Sequence, residues 1–353
     1  MAFISHRGSL ITLRIAAHRL LAASISLGAL SCARFSESPS RTKVPEPSQL
    51  AELEYIQSPQ GLYGYLAWLD DETLAVQYRT GLLGALSPRI WRLALDGQSF
   101  EMMDLPKHLS CGPDGENGYE APERLPDGRM SYFVACRPKG DTFNIKYYLM
   151  ALDIRTGQVT QLLDYPMPES IVGTGGFQWN PTMSTGLMGN GNRFISEQLY
   201  RLSKDGWDQL DVGLAQAYGP SWSPDGDQVA FIGSTERGSP LTYSNLGLYL
   251  MNAEGKEVRL ILEGFHNASG VAWSPQGRWL AFPAAFGEVE EEGSGLWLID
   301  LELGQVRQIA EGIFGSVSWS EDGQRIAVVQ FLGPPLEREH RVAIIEVGPL
   351  LAY

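Results

Sequence analysis

Short apolar runs alternate with polar turns along most of the chain, most clearly over residues 219–264. Residues 220–223 are half apolar, and Pro224-Asp225-Gly226 follows them. Proline presets φ, aspartate bonds its own backbone and glycine accepts a positive φ, so this triplet predicts a tight turn. Residues 228–232 (QVAFI) are apolar and partly β-branched, which suits a strand. After a polar loop, residues 248–251 (LYLM) predict a third strand. A turn at 252–255 then leads to a fourth, VRLIL at 258–262. The pattern is a four-stranded antiparallel meander, which cannot bury both of its faces without neighbours of its own kind.

Those neighbours recur along the sequence. Trp273-Ser274-Pro275-Gln276-Gly277 and Trp319-Ser320-Glu321-Asp322-Gly323 open two further units, followed by apolar runs at 279–282 and 325–329. Trp179-Asn180-Pro181 marks a degenerate unit, and Leu125-Pro126-Asp127-Gly128 marks one that has lost the tryptophan. Trp68-Leu69-Asp70-Asp71 marks the first. The units lie near 62–106, 118–164, 175–213, 219–263, 270–310 and 316–348, so the period, not the length, sets the organisation. The tryptophans hold one repeat position, and packing in the core explains them better than a stacking platform for sugars.

The opening of the chain differs. Residues 1–31 hold Arg7, Arg14 and Arg19 and no acid, and residues 20–30 (LLAASISLGAL) are apolar. A basic segment, a short apolar run and a small-residue site predict a secretory signal. The run is short for a bilayer span. Cys32, directly after Ser31, resembles a lipobox cysteine and is expected to carry the lipid, although the usual leucine three places earlier is absent. Residues 33–49 are rich in serine and proline and read as a tether. The net charge is −14, and loss of the three arginines takes it to −17. Such acidity argues against nucleic acid and against anionic headgroups, leaving the lipid anchor as the membrane contact. The location expected is extracytoplasmic, periplasmic or at the cell surface. There a Cys111–Cys136 disulfide is permitted, with two free thiols as the other reading.

The Trp222-Ser223-Pro224-Asp225-Gly226 and Leu248-Tyr249-Leu250-Met251 pair resembles the TolB-type propeller repeat, a relative of the WD repeat. The resemblance covers roughly residues 50–350 and is strongest in the last three units. It implies an all-β, six-bladed β-propeller of four-stranded antiparallel blades, and a binding role rather than an activity. The α/β domain that precedes the propeller in TolB is not recognisable here, so that family's partner contacts do not carry over. The sixth unit shows only three strands, with Pro349 where a fourth would start. Residues 50–57 (LAELEYIQ) look like a fourth strand and are expected to pair with the last blade, closing the ring.

In a meander blade, the turns joining strands one and two and strands three and four share one side. The remaining loops share the other, and here they are the long ones: 79–88, 137–146, 234–247, 286–295 and 332–340. This long-loop face is the candidate binding surface, with Phe143, Tyr243, Phe265, Phe286 and Phe314 among its aromatics. The acidic run at 288–292, including Glu290 and Glu291, reads as a solvated loop or as a lure for a basic partner. His108, His266 and His340 fall on the same face, in units too far apart for a zinc site, so no metal or cofactor is implied. The sequence contains no G-x-S-x-G, H-E-x-x-H or P-loop signature. The reading is a monomeric, non-catalytic propeller binding a protein or envelope component. A small-molecule or carbohydrate sensor and a metal-assisted hydrolase or lyase at the channel mouth are the alternatives.

Overall fold

A computed structural model describes residues 50–79, 88–112, 114–139, 144–168, 175–189, 197–236, 245–286, 293–334 and 337–351. The predicted signal, Cys32, the tether, Phe143, Tyr243, Glu290 and Glu291 lie outside the described residues.

Six four-stranded antiparallel sheets stand as blades in a ring. A short strand, β1 (Leu53–Tyr55), precedes the first of them. Blade 1 is β2 (Leu62–Trp68), β3 (Thr73–Arg79), β4 (Arg89–Ala94) and β5 (Phe100–Met102). Blade 2 is β6 (Glu116–Arg124), β7 (Met130–Arg137), β8 (Lys146–Leu152) and β9 (Val159–Gln161). Blade 3 is β10 (Gly175–Trp179), β11 (Gly186–Gly189), β12 (Leu199–Ser203) and β13 (Gly206–Gln209). Blade 4 is β14 (Gln216–Trp222), β15 (Gln228–Ser234), β16 (Leu246–Asn252) and β17 (Arg259–Phe265). Blade 5 is β18 (Ala272–Trp273), β19 (Trp279–Ala285), β20 (Ser294–Asp300) and β21 (Val306–Glu311). Blade 6 takes β22 (Ile313–Trp319), β23 (Arg325–Leu332) and β24 (Glu339–Glu346) from the chain's end.

The fourth strand of blade 6 is β1, which pairs antiparallel with β24 in the register Leu53 to Ile345 and Tyr55 to Ala343. This is the closure the sequence predicts, though only three of residues 50–57 form the strand. Two backbone bonds flank it: Ala51 N–H donates to Ile309 O at 2.7 Å, and Ile56 N–H to Val342 O at 3.0 Å. Beyond β24 the chain turns into a short helix, Gly348–Leu351, as the proline at 349 favours. Leu350 and Leu351 pack beside Leu53 against the end of the core.

The first strands touch one another in sequence around the ring, β22 meeting β2 to complete the circle. Apolar side chains collect between blades, not within them. One cluster joins blades 6 and 1 through Val329, Val342 and Ile344 on one side and Leu66, Trp68 and Val76 on the other. Five equivalent clusters fill the remaining junctions.

Polar groups bind the same junctions. Trp68 Nε1–H donates to Ser318 O at 3.0 Å, and Trp319 Nε1–H to Ala272 O at 3.1 Å. The unit without a tryptophan uses Arg124 instead, whose guanidinium donates to Leu69 O and pairs with Glu321 at 2.9 Å. Between blades 3 and 4, Gln178 Oε1 accepts from Trp222 N–H at 2.6 Å; between blades 4 and 5, Ser221 Oγ accepts from Trp273 N–H at 3.0 Å. The tryptophan position is thus a tie between blades. At the centre, a β-carbon on Gly219 would stand 2.5 Å from Gly270 Cα, so only glycine lets these first strands meet.

The short turns are held by their own side chains. Ser223 Oγ–H donates to Asp225 Oδ1 at 2.5 Å and accepts from Gln228 N–H at 2.9 Å. Ser320 and Asp322 repeat the arrangement in blade 6. Hydrogen bonds from the serine and from backbone amides hold both aspartates below the usual carboxylate range.

The seam makes a definite prediction. Glu54→Pro removes a ladder N–H from β1. It should cost about 2 kcal/mol and several degrees of Tm, and it should expose the β24 edge to self-association. Calorimetry and size-exclusion chromatography read both effects, with Glu54→Gln as the silent control. An unchanged Tm in the proline variant would contradict closure by β1.

Candidate functional site on the long-loop face

Each first strand starts on the long-loop face and runs toward the short turns. The described part of this face presents two built features, one at the blade 6 to blade 1 seam and one between blades 1 and 2.

At the seam, residues 55–60 and 339–341 enclose a half-open cavity of about 330 Å³. Its walls are fixed from both sides. Tyr55 OH donates to Gln330 Oε1 at 2.5 Å, and the Arg341 guanidinium lies 5.7 Å from the centre of the Tyr55 ring. Glu339 holds Arg341 through two bonds of 3.1 and 3.2 Å. His340 packs on Phe331 and bonds Tyr63 O through Nδ1 at 3.0 Å. Burial lowers its pKa, so the ring is neutral near pH 7 and Nδ1 carries the donated proton. The cavity therefore presents a cation, a phenol and an anion on a fixed frame.

Between blades 1 and 2, a 3₁₀ turn at Leu109–Cys111 carries the linking segment across the face. His108 caps it, its Nδ1 accepting from Ser110 N–H at 3.2 Å. The His108 ring stacks on Tyr148 at 3.9 Å, and Nε2 lies 3.0 Å from Gln161 Oε1. Cys111 and Cys136 are joined as a disulfide with a Cα–Cα distance of 4.9 Å, tying the link to β7. Nearby, Arg79 lies 4.0 Å from Glu120 and Arg137 lies 3.8 Å from Glu116.

The aromatics expected on this surface are placed differently. Phe265, Phe286 and Phe314 are buried at 1%, 4% and 3% exposure. Phe265 packs on Phe282 and Phe286, and Phe286 on Trp297, so these rings fill the ends of the inter-blade core and offer nothing to a partner. Position next to a long loop puts the backbone on the face, but strand alternation turns the side chain inward. His266 belongs to a backbone bridge with Ala285, and His340 to β24 itself.

Sequence reasoning missed two groups. His108 stands three residues before Cys111, a local ligand-like spacing that reading the histidines alone overlooks. Glu123 precedes Arg124 at the position that Gln178 and Ser221 occupy in later blades, where the side chain bonds the adjacent blade. Its carboxylate accepts from Gln178 Nε2–H at 3.2 Å, extending that chain toward Trp222. Desolvation on the inner strand pushes its pKa up to about 7, against a lowering by Gln178.

The geometry defines a six-bladed β-propeller. No protein-family model matches the chain. Its fold is TolB-like. TolB from Acinetobacter baumannii superimposes with a TM-score of 0.54 at 14% identity, over 79% of this chain and 65% of that one. A TolB from Agrobacterium tumefaciens gives 0.53 at 18% identity, over 85% and 99%. In sequence, 117 residues are 29% identical to the uncharacterized peptidase YuxL of Bacillus subtilis, a match over 32% of this chain that spans only 17% of that protein's length.

Glu123 supplies a pH test. Its folded pKa lies above the unfolded value, so its stabilisation is complete below the unfolded pKa and is lost as pH rises through about 7. Some solvent still reaches the group, which discounts the effect to roughly 2 kcal/mol. Urea unfolding of Glu123→Gln should match the wild type near pH 5 and gain on it by that amount at pH 8. Parallel stability curves across this range would contradict the assignment.

Proposed function

We propose that this protein is a non-catalytic propeller tethered outside the cytoplasm, binding a protein or cell-envelope component through its long-loop face. The observation that carries the reading is the asymmetry of the ring. The short-turn side is closed by its own serine–aspartate pairs. The other side holds the seam cavity and the disulfide-anchored link, with charged and aromatic side chains held in place. A fixed surface of this kind binds without ordering its own groups first, which lowers the cost of association.

The location rests on two supports. Residues 1–31 have the composition of an export signal, and Cys32 follows the apolar run. The disulfide suits an oxidising compartment. No helix among the described residues is long and apolar enough to cross a membrane.

A second reading, recognition of a small molecule or carbohydrate, is favoured by the seam cavity alone. Its volume of about 330 Å³ falls at the lower end of small-ligand sites, and Tyr55 and Arg341 suit a polar ring.

Crosslinking in native membranes separates these readings. The wild type should fractionate with membranes and capture one partner reproducibly. Arg341→Glu should lose that partner, whereas Arg155→Glu, in a turn of the opposite side, should keep it. Release of Cys32→Ala into the soluble fraction tests the anchor. Equal capture by both arginine variants would overturn the assignment of the face. Saturable glycan binding that Arg341→Glu abolishes, with no protein captured, would select the second reading.

A further inference from the structure

The one group of metal-ligating side chains brought together among the described residues is His108, Cys111 and Cys136, whose donor atoms lie within 4.8 Å of one another. We propose that these three, with Asn117, form a redox-gated site for a single zinc-like divalent cation. The disulfide closes the site and two-electron reduction opens it.

The observation behind the proposal is Asn117. The residue is 4% exposed, and its Oδ1 lies 2.5 Å from the sulfur of Cys111 and 3.9 Å from that of Cys136. In a disulfide neither sulfur carries a proton, so this oxygen faces two groups that cannot donate to it, and Nδ2 also lacks a partner. A buried carboxamide left in that condition is costly. Once the sulfurs are thiols, Oδ1 accepts from Cys111 Sγ–H; beside a cation, it supplies a fourth donor. The backbone at this point is fixed, because Asn117 is paired with Cys136 in the β6–β7 ladder and its backbone carbonyl accepts from the Arg89 guanidinium.

The donor set has the chemistry of a zinc centre: two thiolates, an imidazole and an oxygen, the thiolates balancing the cation's charge. Two of the ligands come from one short turn, His108 and Cys111, and the third from an adjacent strand. To ligate, His108 gives up its bond to Ser110 N–H or to Gln161, both at exposed positions where water can take over. The redox step balances with a dithiol as reductant. The dithiol is oxidised to its own disulfide, an electron pair breaks the Cys111–Cys136 bond, and each sulfur takes up one proton. Cation binding then displaces those two protons. In either state the link between blades 1 and 2 stays pinned to β7, by a covalent bond or through the metal, so the long-loop face keeps its form.

The test uses the full chain carrying Cys32→Ala, so that only this pair of thiols remains, with cobalt(II) alone as the probe. After reduction without oxygen, the chain should bind one equivalent of cobalt and develop the near-ultraviolet thiolate-to-cobalt band with the visible bands of a tetrahedral ion. The oxidised chain should show neither. His108→Ala should weaken binding about tenfold or more, and Cys111→Ser should abolish the thiolate band. Far-ultraviolet circular dichroism of the reduced chain accompanies the titration. A reduced chain that unfolds, that binds no cobalt, or that binds it equally well after Cys111→Ser overturns the proposal.

Discussion

The structure depends on one contact, the three-residue pairing of β1 with β24. None of the blades has a core of its own. Each apolar cluster lies between two neighbours, so six blades make six hydrophobic junctions only if the first and last meet. Without closure, the cluster joining blades 6 and 1 would face water, including Trp68, Leu66 and Val342. At about 25 cal/mol per Å² of apolar surface, exposing one such junction is a penalty comparable with the stability of an entire domain. The strand is short, but it stands between a ring and an open stack of sheets with two sticky ends.

The polar ties follow the same logic. At two of the repeat positions, Trp68 and Trp319, the indole N–H reaches a backbone carbonyl of the preceding blade, whereas the Trp273 indole donates to Gly277 O in its own turn. The side chain just before the marker accepts from the next blade's backbone, as Gln178 and Ser221 do. Arg124 shows that a donor of similar reach can replace the indole. The seam cavity is a by-product of closure, since one wall comes from each end of the chain. The candidate binding surface therefore shares its supports with the fold.

Much of the fold was legible because the repeat writes the same physics several times. The Ser-Pro-Asp-Gly turn near Ser223 and its copy near Ser320 announce themselves by composition, and residues 50–57 look like the fourth strand that the last unit lacks. The second strand of blade 3 was not legible. Gly186-Leu187-Met188-Gly189 has little strand propensity, and Gly186 is there because the Phe177 ring occupies the space its β-carbon would need. The site was harder to read. Phe265, Phe286 and Phe314 sit at strand ends beside long loops, where sequence position does not say which way a ring points. In the sequence His108 looks isolated because its nearest histidine is far along the chain, whereas its neighbours in the fold are sulfurs brought in by the β6–β7 ladder.

If closure governs the whole, the most direct measurement is amide hydrogen exchange resolved by blade in the full chain. The account predicts that amides of β2, β22 and β24, at the seam, exchange as slowly as those of β14 and β15 in blade 4, because no junction opens without the others. Rapid exchange confined to blades 6 and 1, with blades 4 and 5 still protected, would show a ring that stands open at the seam and would contradict the account.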